Sequence, residues 1–300
     1  MIRPLRFETN KLTAVSNRFQ SKSLAAPERQ QRAAAAEFEG VARVLRDSGV
    51  RVIIVDDTPE PHTPDSIFPN NWVSFHADGT VVLYPMEATN RRAERRHDII
   101  ELLHHDYGYQ VHNVVDLSHH EGSGHFLEGT GSMVLDRTNR IAYACLSTRT
   151  HLDVLNEFSR RLNYESIVFN AVDRAGVVIY HSNVVMCVGE SVAIICADAI
   201  AGDQQRRCVL QRLQRTGHEV ITIALSQLEA FAGNMLELKV ANGCRIMAMS
   251  DRARASLDAT QICGIERHAD IVSADIGSIE RAAGGSVRCM LAEMRLPEAG

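Results

Sequence analysis

Paired cysteines are missing from this chain. Its seven cysteines, at positions 145, 187, 196, 208, 244, 263 and 289, are odd in number, include no Cys-x-x-Cys, and fall mostly in apolar strand-like runs. They read as reduced thiols, which excludes a disulfide framework as the basis of the fold. A basic excess is missing too: 32 lysines and arginines face 37 acidic residues, for a net charge of -5. That surface lacks the concentrated positive field that neutralises phosphates, so nucleic acid is not an expected partner. No apolar run reaches the roughly 18 residues that span a bilayer, and the opening MIRPLRFETN has no apolar signal core. No membrane partner and a cytoplasmic location are therefore expected. The glycines of EGSGHFLEGTGS do not follow a strand-to-helix turn with nucleotide-site spacing, and no cofactor is expected.

What the chain does have is core-forming material. At 300 residues and 45% hydrophobic it can bury a large interior, and no internal stretch reads as a linker, so residues 1–300 are expected to form one domain. Four segments read as β-hairpins: NWVSFHADGTVVLYP (71–85), SMVLDRTNRIAYACLS (132–147), NVVMCVGESVAIICAD (183–198) and NMLELKVANGCRIMAMS (234–250). Each is followed by a helix-like segment and another strand. The hairpins start at Asn71, Ser132, Asn183 and Asn234, and a further step of similar length reaches Ser286 in SVRCMLAEM. The helix and last strand wanted by this fifth unit stand at the other end, as QRAAAAEFEGVARVLRDSG (31–49) and VRVIIVDD (50–57). A period of about 50 residues implies a repeat architecture. The expected fold is α/β: a five-bladed α/β propeller with pseudo-five-fold repeat, its last blade closed by both termini. An open doubly wound sheet is the rival, but it alternates single strands with helices.

Polar residues share a phase in this repeat. Asp65 in TPDSIFPNN, Glu128 in HFLEGTGS and His181 in VIYHSN lie just before hairpin starts, and Cys289 lies just after Ser286. The repeat thus carries all four toward one axial pocket. A thiol with an ordinary pKa near ~8.5 needs a cation or base to act as a nucleophile. His181 can move the proton, Glu128 can orient the imidazole, and Asp65 can accept N–H bonds from a planar, nitrogen-rich group.

These segments resemble the guanidino-group modifying enzymes of the pentein fold, the amidinotransferase and arginine deiminase-like proteins. FLEGTGSMVL is similar to their LEGG segment, LSTRT (146–150) to their S-x-R-T segment, HSN (181–183) to the place of the catalytic histidine, and GGSVRCM to their terminal Gly-Gly…Cys-Met. PDSIFPNNWVSFH and GGSVRCMLAE further resemble the citrulline-utilisation hydrolase branch. The resemblance implies Cys289 as nucleophile, His181 as general acid then base, Glu128 as its partner and Asp65 as anchor of the ureido or guanidino group. It adds Arg149 as the holder of the substrate's α-carboxylate, a role that suits a planar fork. Arginine deiminases carry H-x-D where this chain has His181-Ser182-Asn183. Losing one of two paired carboxylates costs a cationic guanidinium more than a neutral ureido group, while Asn183 and Asn71 offer amide donors and acceptors. The expected reaction is hydrolysis of citrulline to ornithine, ammonia and carbon dioxide. Arginine or methylarginine hydrolysis, amidino transfer and a non-catalytic binding protein of the same fold are the alternatives.

Two features complete the reading. His119, His120, Glu121, His125 and Glu128 crowd one stretch, but their spacing fits no standard four-ligand pattern, so no metal is expected. Gly284 and Gly285 read as a flexible approach to Cys289. Nothing in the sequence sets the oligomeric state, and a homo-oligomer stays open.

Overall fold

A computed structural model describes residues 1–21 and 26–298. Fourteen short strands form five small sheets among these residues. The first joins β1 (Ile2–Arg3) in parallel to β2 (Val55–Asp56). The second is β3 (Val73–Phe75), β4 (Thr80–Leu83) and β5 (Asn113–Asp116); the third is β6 (Met133–Asp136), β7 (Ile141–Cys145) and β8 (Glu165–Phe169). The fourth is β9 (Met186–Val188), β10 (Val192–Ile195) and β11 (Glu219–Thr222), and the fifth is β12 (Leu236–Lys239), β13 (Arg245–Ser250) and β14 (Asp270–Ala274). In each three-stranded sheet the first two strands are an antiparallel hairpin and the third is parallel to the second.

That pairing follows from the sequence units. A parallel partner cannot be reached by a tight turn and needs a crossover, usually helical. The helices His97–His105, Leu152–Leu162 and Asp203–Arg215 supply it, and a pair, Asp251–Ser256 and Ala259–Glu266, does so in the last sheet. The middle strands are covered on both faces, so they read as unbroken apolar runs: Ile141–Cys145 and Val192–Ile195 are buried throughout. The long helix Pro27–Asp47 starts with proline at its first turn and buries Ala34, Phe38, Val41, Ala42 and Leu45 along one stripe. It lies against β14 and the helix Gly277–Ala283.

Three of the four hairpins are immediately preceded by a helical turn that sequence periodicity did not reveal. Pro69–Asn71, Gly129–Ser132 and Ser182–Val185 precede β3, β6 and β9, and Val287–Met290 stands at the corresponding place near the C-terminus. The Pro69–Asn71 turn touches those at Gly129–Ser132 and Val287–Met290, and Gly129–Ser132 touches Ser182–Val185. Farther on, β9 packs beside β12, and β13 packs beside Val287–Met290.

Three expectations need correction. SVRCMLAEM does not open a strand: residues 287–290 form a 3-10 turn, and no strand is found after it among the described residues. VRVIIVDD is half-buried rather than deeply buried and pairs only at Val55–Asp56, with Ile2–Arg3 as its partner. Both described strands of this sheet, β1 and β2, thus come from the N-terminal end, together with the expected helix. Gly284 and Gly285 are not a flexible approach. Gly284 closes the helix Gly277–Ala283 at φ +64, and a Cβ on Gly285 would stand 2.7 Å from Phe68 Cζ. This glycine pair provides a left-handed helix end and close packing.

Candidate active site

Glu128 and His181 each occupy the residue before a helical turn, with non-helical backbone, and neither spends its side chain on capping that turn. Both side chains are buried and meet: His181 Nε2 lies 2.9 Å from Glu128 Oε2. With the Nε2 proton donated to the carboxylate, Nδ1 carries the lone pair. That nitrogen faces Gly131, where a Cβ would stand 2.7 Å from Nδ1 and 2.6 Å from Asn71 Nδ2. Only a residue without a side chain leaves the imidazole its place there. Burial pushes the Glu128 carboxyl upward, but the charge of Arg149, the bond and charge of His181 and the charge of Arg91 outweigh it and hold the carboxyl well below its ordinary range. Burial lowers the His181 pKa, against the opposing pull of Glu128. The pair at neutral pH is thus a carboxylate and a neutral imidazole ready to accept a proton.

Cys289 is buried in the turn Val287–Met290. Its sulfur is met by two amides, Asn183 Nδ2 and Asn234 Nδ2, each 3.4 Å from Sγ. Asn234 Oδ1 also lies 3.7 Å from Sγ, within reach of the thiol hydrogen. Asn234 is itself fixed, donating to the Asn183 carbonyl at 2.9 Å and accepting the Arg288 N–H at 3.1 Å. No hydrogen bond joins Cys289 to His181 among the described residues. Tyr180 lies among the same groups: burial raises its hydroxyl pKa, and the charges of Arg149, Cys289, Glu128 and Asp65 all act on it.

Asp65 is buried and asymmetric. Its Oδ2 accepts from Asn10 Nδ2 at 2.7 Å and Thr13 Oγ1 at 3.4 Å, whereas Oδ1 has no partner among the described residues. Arg91 runs behind it, 3.6 Å from Oδ2. Its guanidinium also bonds Glu94 through two nitrogens, at 3.0 and 2.8 Å, donates to Asn71 Oδ1 at 2.9 Å and lies 3.7 Å from Glu128 Oε2. Asn71 is therefore held from behind, with its second bond going to Asn70 Oδ1. The Asn183 Oδ1 is buried without a partner. Arg149 stacks 4.5 Å over the Tyr180 ring and lies 3.5 Å from Glu128 Oε2. It also donates to Ser16 Oγ at 2.7 Å, the Thr13 carbonyl at 3.1 Å and Glu87 Oε2 at 3.2 Å.

All seven residues singled out from sequence are buried, and contacts link them in two groups: Cys289 with Asn183, and the other five, in which Glu128 meets His181 and Arg149 while Arg91 bridges Glu128 to Asp65 and Asn71. Two further members carried no motif. Arg91 sits in NRRAERR, a stretch that reads as a solvated charged face, and of its carboxylate partners Glu94 stands in the same stretch while Asp65 and Glu128 come from two other places in the chain. Asn234 had a signal that was available: it starts a hairpin at the same repeat position as Asn71 and Asn183. A cavity of about 370 Å³ lined by Leu45, Trp72 and Leu103 contains none of these side chains.

Fold and sequence together place the chain in the pentein superfamily of guanidino-group modifying enzymes. More narrowly, it belongs to the family described as N,N dimethylarginine dimethylhydrolase, eukaryotic, whose model matches residues 3–296. A sequence comparison with curated proteins gave no match. Among solved structures, the product-bound N-terminal domain of ArgZ, a cyanobacterial arginine dihydrolase, superposes with a TM-score of 0.74 at 18% identity, covering 99% of this chain and 98% of that domain. The chain spans 40% of the longer ArgZ chain, with a TM-score of 0.75 at 17% identity. A dimethylarginine dimethylaminohydrolase, seen as an adduct with S-methyl-L-thiocitrulline, gives 0.64 at 15% identity, covering 96% of each chain.

Proposed function

We propose that residues 1–300 form one catalytic domain, a five-bladed propeller, that hydrolyses a C–N bond of a ureido or guanidino amino acid through Cys289, with citrulline as the leading substrate. The observation that carries the chemistry is the buried Glu128–His181 pair together with a separately buried thiol held by two amides. The propeller is supported by the contacts between turns and strands, whose order returns from the C-terminal turn to Pro69–Asn71.

In the proposed cycle the Cys289 proton passes to His181 Nδ1 and the thiolate attacks the ureido carbon. One C–N bond breaks as His181 returns the proton to the departing amine, leaving a thiocarbamoyl enzyme. His181 then takes a proton from water, the hydroxide attacks the same carbon, and the C–S bond breaks. The released carbamate decomposes, so that ornithine, ammonia and carbon dioxide result. Asp65 Oδ1, buried without a partner, is the acceptor for the substrate's planar N–H edge. Asn183 Oδ1 offers a second acceptor, while Asn71 braces the imidazole side. A substrate carboxylate would take the places of Ser16 and Glu87 on Arg149, leaving Glu87 to meet the α-ammonium.

Charge supports a neutral substrate group. Arg91 pairs with Glu94 and also faces Asp65 and Glu128, and Arg149 faces Glu128. Asp65 is left as one partly neutralised carboxylate with one open oxygen, a weaker match for a guanidinium cation than for a ureido group. The second reading, arginine or a methylated arginine, is favoured by the matching family and by ArgZ. Product analysis separates them: citrulline, arginine and methylated arginines are supplied one at a time, and ornithine, citrulline and ammonia are quantified. Ornithine from citrulline supports the proposal, and turnover of only the guanidines replaces it with the second reading. If none turns over, hydrolysis of these substrates fails.

A further inference from the structure

We propose that His119, His120 and Glu157 form a binding site for one divalent transition-metal ion of the zinc or nickel class, outside the candidate active site. The histidines lie in the 3-10 turn Ser118–Ser123, and the carboxylate comes from the helix Leu152–Leu162. Their ligand atoms converge on one point, all within 4.8 Å of one another. His120 Nε2 and His119 Nε2 lie 2.8 and 3.6 Å from the same Glu157 Oε2. The two rings are 4.2 Å apart.

The surroundings prepare these atoms for a cation. His119 Nδ1 lies 3.3 Å from the Asp116 carbonyl, an acceptor that holds the proton on Nδ1 and leaves the Nε2 lone pair outward, as the outer contacts of metal-bound histidines do. Arg161 donates to Glu157 Oε1 at 2.8 Å, leaving Oε2 to the histidines. Two imidazoles and a carboxylate suit zinc, nickel or copper rather than magnesium or calcium, and three protein ligands leave room for water. The sequence shows no such pattern because the third ligand stands 37 residues beyond His120.

A neighbouring trio, His125, His151 and Asp153, is less suited. Its rings are stacked face to face at 3.6 Å, and His151 Nδ1 already accepts the Asp153 N–H as a helix cap. An ion on the first trio would tie the turn that leads to Glu128 to the helix that follows Arg149, acting as a structural brace.

The test is calorimetric titration with nickel chloride, alongside thermal melting with and without nickel. One ion should bind the parent chain and raise its melting temperature. His120→Ala and Glu157→Gln should each weaken binding by about tenfold or more and abolish the thermal gain, while His125→Ala should bind as the parent does. Melting without metal verifies that each variant is folded. Absence of binding by the parent chain, unchanged affinity in folded His120→Ala, or loss only in His125→Ala would overturn the assignment.

Discussion

What surrounds each sulfur sets Cys289 apart from the other six cysteines. Burial pushes the thiols of Cys145 and Cys187 up to about 12 and that of Cys196 up to about 11, which makes them inert. Cys208, Cys244 and Cys263 are exposed, so a general alkylating reagent reaches them before it reports on Cys289. A substrate-shaped probe is needed. Asn234→Ala removes one of the two amides on Sγ, a contact worth about 1.5–3 kcal/mol when the acceptor is charged. The acidic limb of kcat/KM should be displaced toward alkaline pH. An unchanged pH profile with reduced stability would leave Asn234 a purely structural residue. Stability should also depend on pH through the Glu128–His181 pair. His181 is held below its ordinary 6.5 and Glu128 below its ordinary 4.5, so the unfolded chain binds both protons more readily. Their contributions are whole above about 6.5 and are lost as pH falls, His181 first and Glu128 below about 4.5. Denaturant melts at about pH 7.5 and 5.5 should show the parent chain losing more stability than His181→Ala. At this scale Asp65, Glu128, His181 and Cys289 could be read from the sequence because they share a repeat phase. Arg91 could not, since a buried arginine is recognised by carboxylates that only the fold assembles.

At the scale of elements, the hairpin-helix-strand units were readable because buried strands are apolar runs and the Asp78-Gly79 and Asn242-Gly243 turns announce themselves; Gly79 and Gly243 both have positive φ. The short turns before the hairpins were not. A single turn such as Gly129–Ser132 has no room for helical periodicity, and its composition suggests a loop. That turn nevertheless sets the site. Gly131→Ala would place a methyl within 2.7 Å of His181 Nδ1, and displacing a catalytic group by about 1 Å can cost about 100-fold in rate. A drop in kcat far larger than any change in melting temperature is expected. The opposite signature is expected at the helix Ala259–Glu266, where Asp258 accepts the Gln261 N–H and Gln261 returns the contact in a capping box. Asp258→Ala should cost about 1 kcal/mol of stability and leave turnover unaffected.

Across the whole molecule, the repeat period implied that the two ends of the chain meet. Gln110 N–H donates to the Pro297 carbonyl at 2.7 Å, and the Met1 amino group donates to the Ile53 carbonyl at 2.9 Å. Ile2, Trp72, Leu103 and Leu296 share one buried cluster. Leu296→Ala should therefore cost about 2–5 kcal/mol in denaturant melts, as a core truncation does rather than a frayed end. The partial match of VRVIIVDD to a strand has the same origin: its partner is the two-residue β1, too short to carry a pattern. The central claim, covalent catalysis at Cys289, is tested most directly by mass spectrometry of His181→Ala incubated with S-methyl-L-thiocitrulline. Its thiolate leaving group departs without needing a proton from His181, and the missing base slows hydrolysis of the adduct. The account predicts one stoichiometric adduct that maps to Cys289 and is absent from Cys289→Ala; modification of another cysteine, or none on a folded protein, would contradict it.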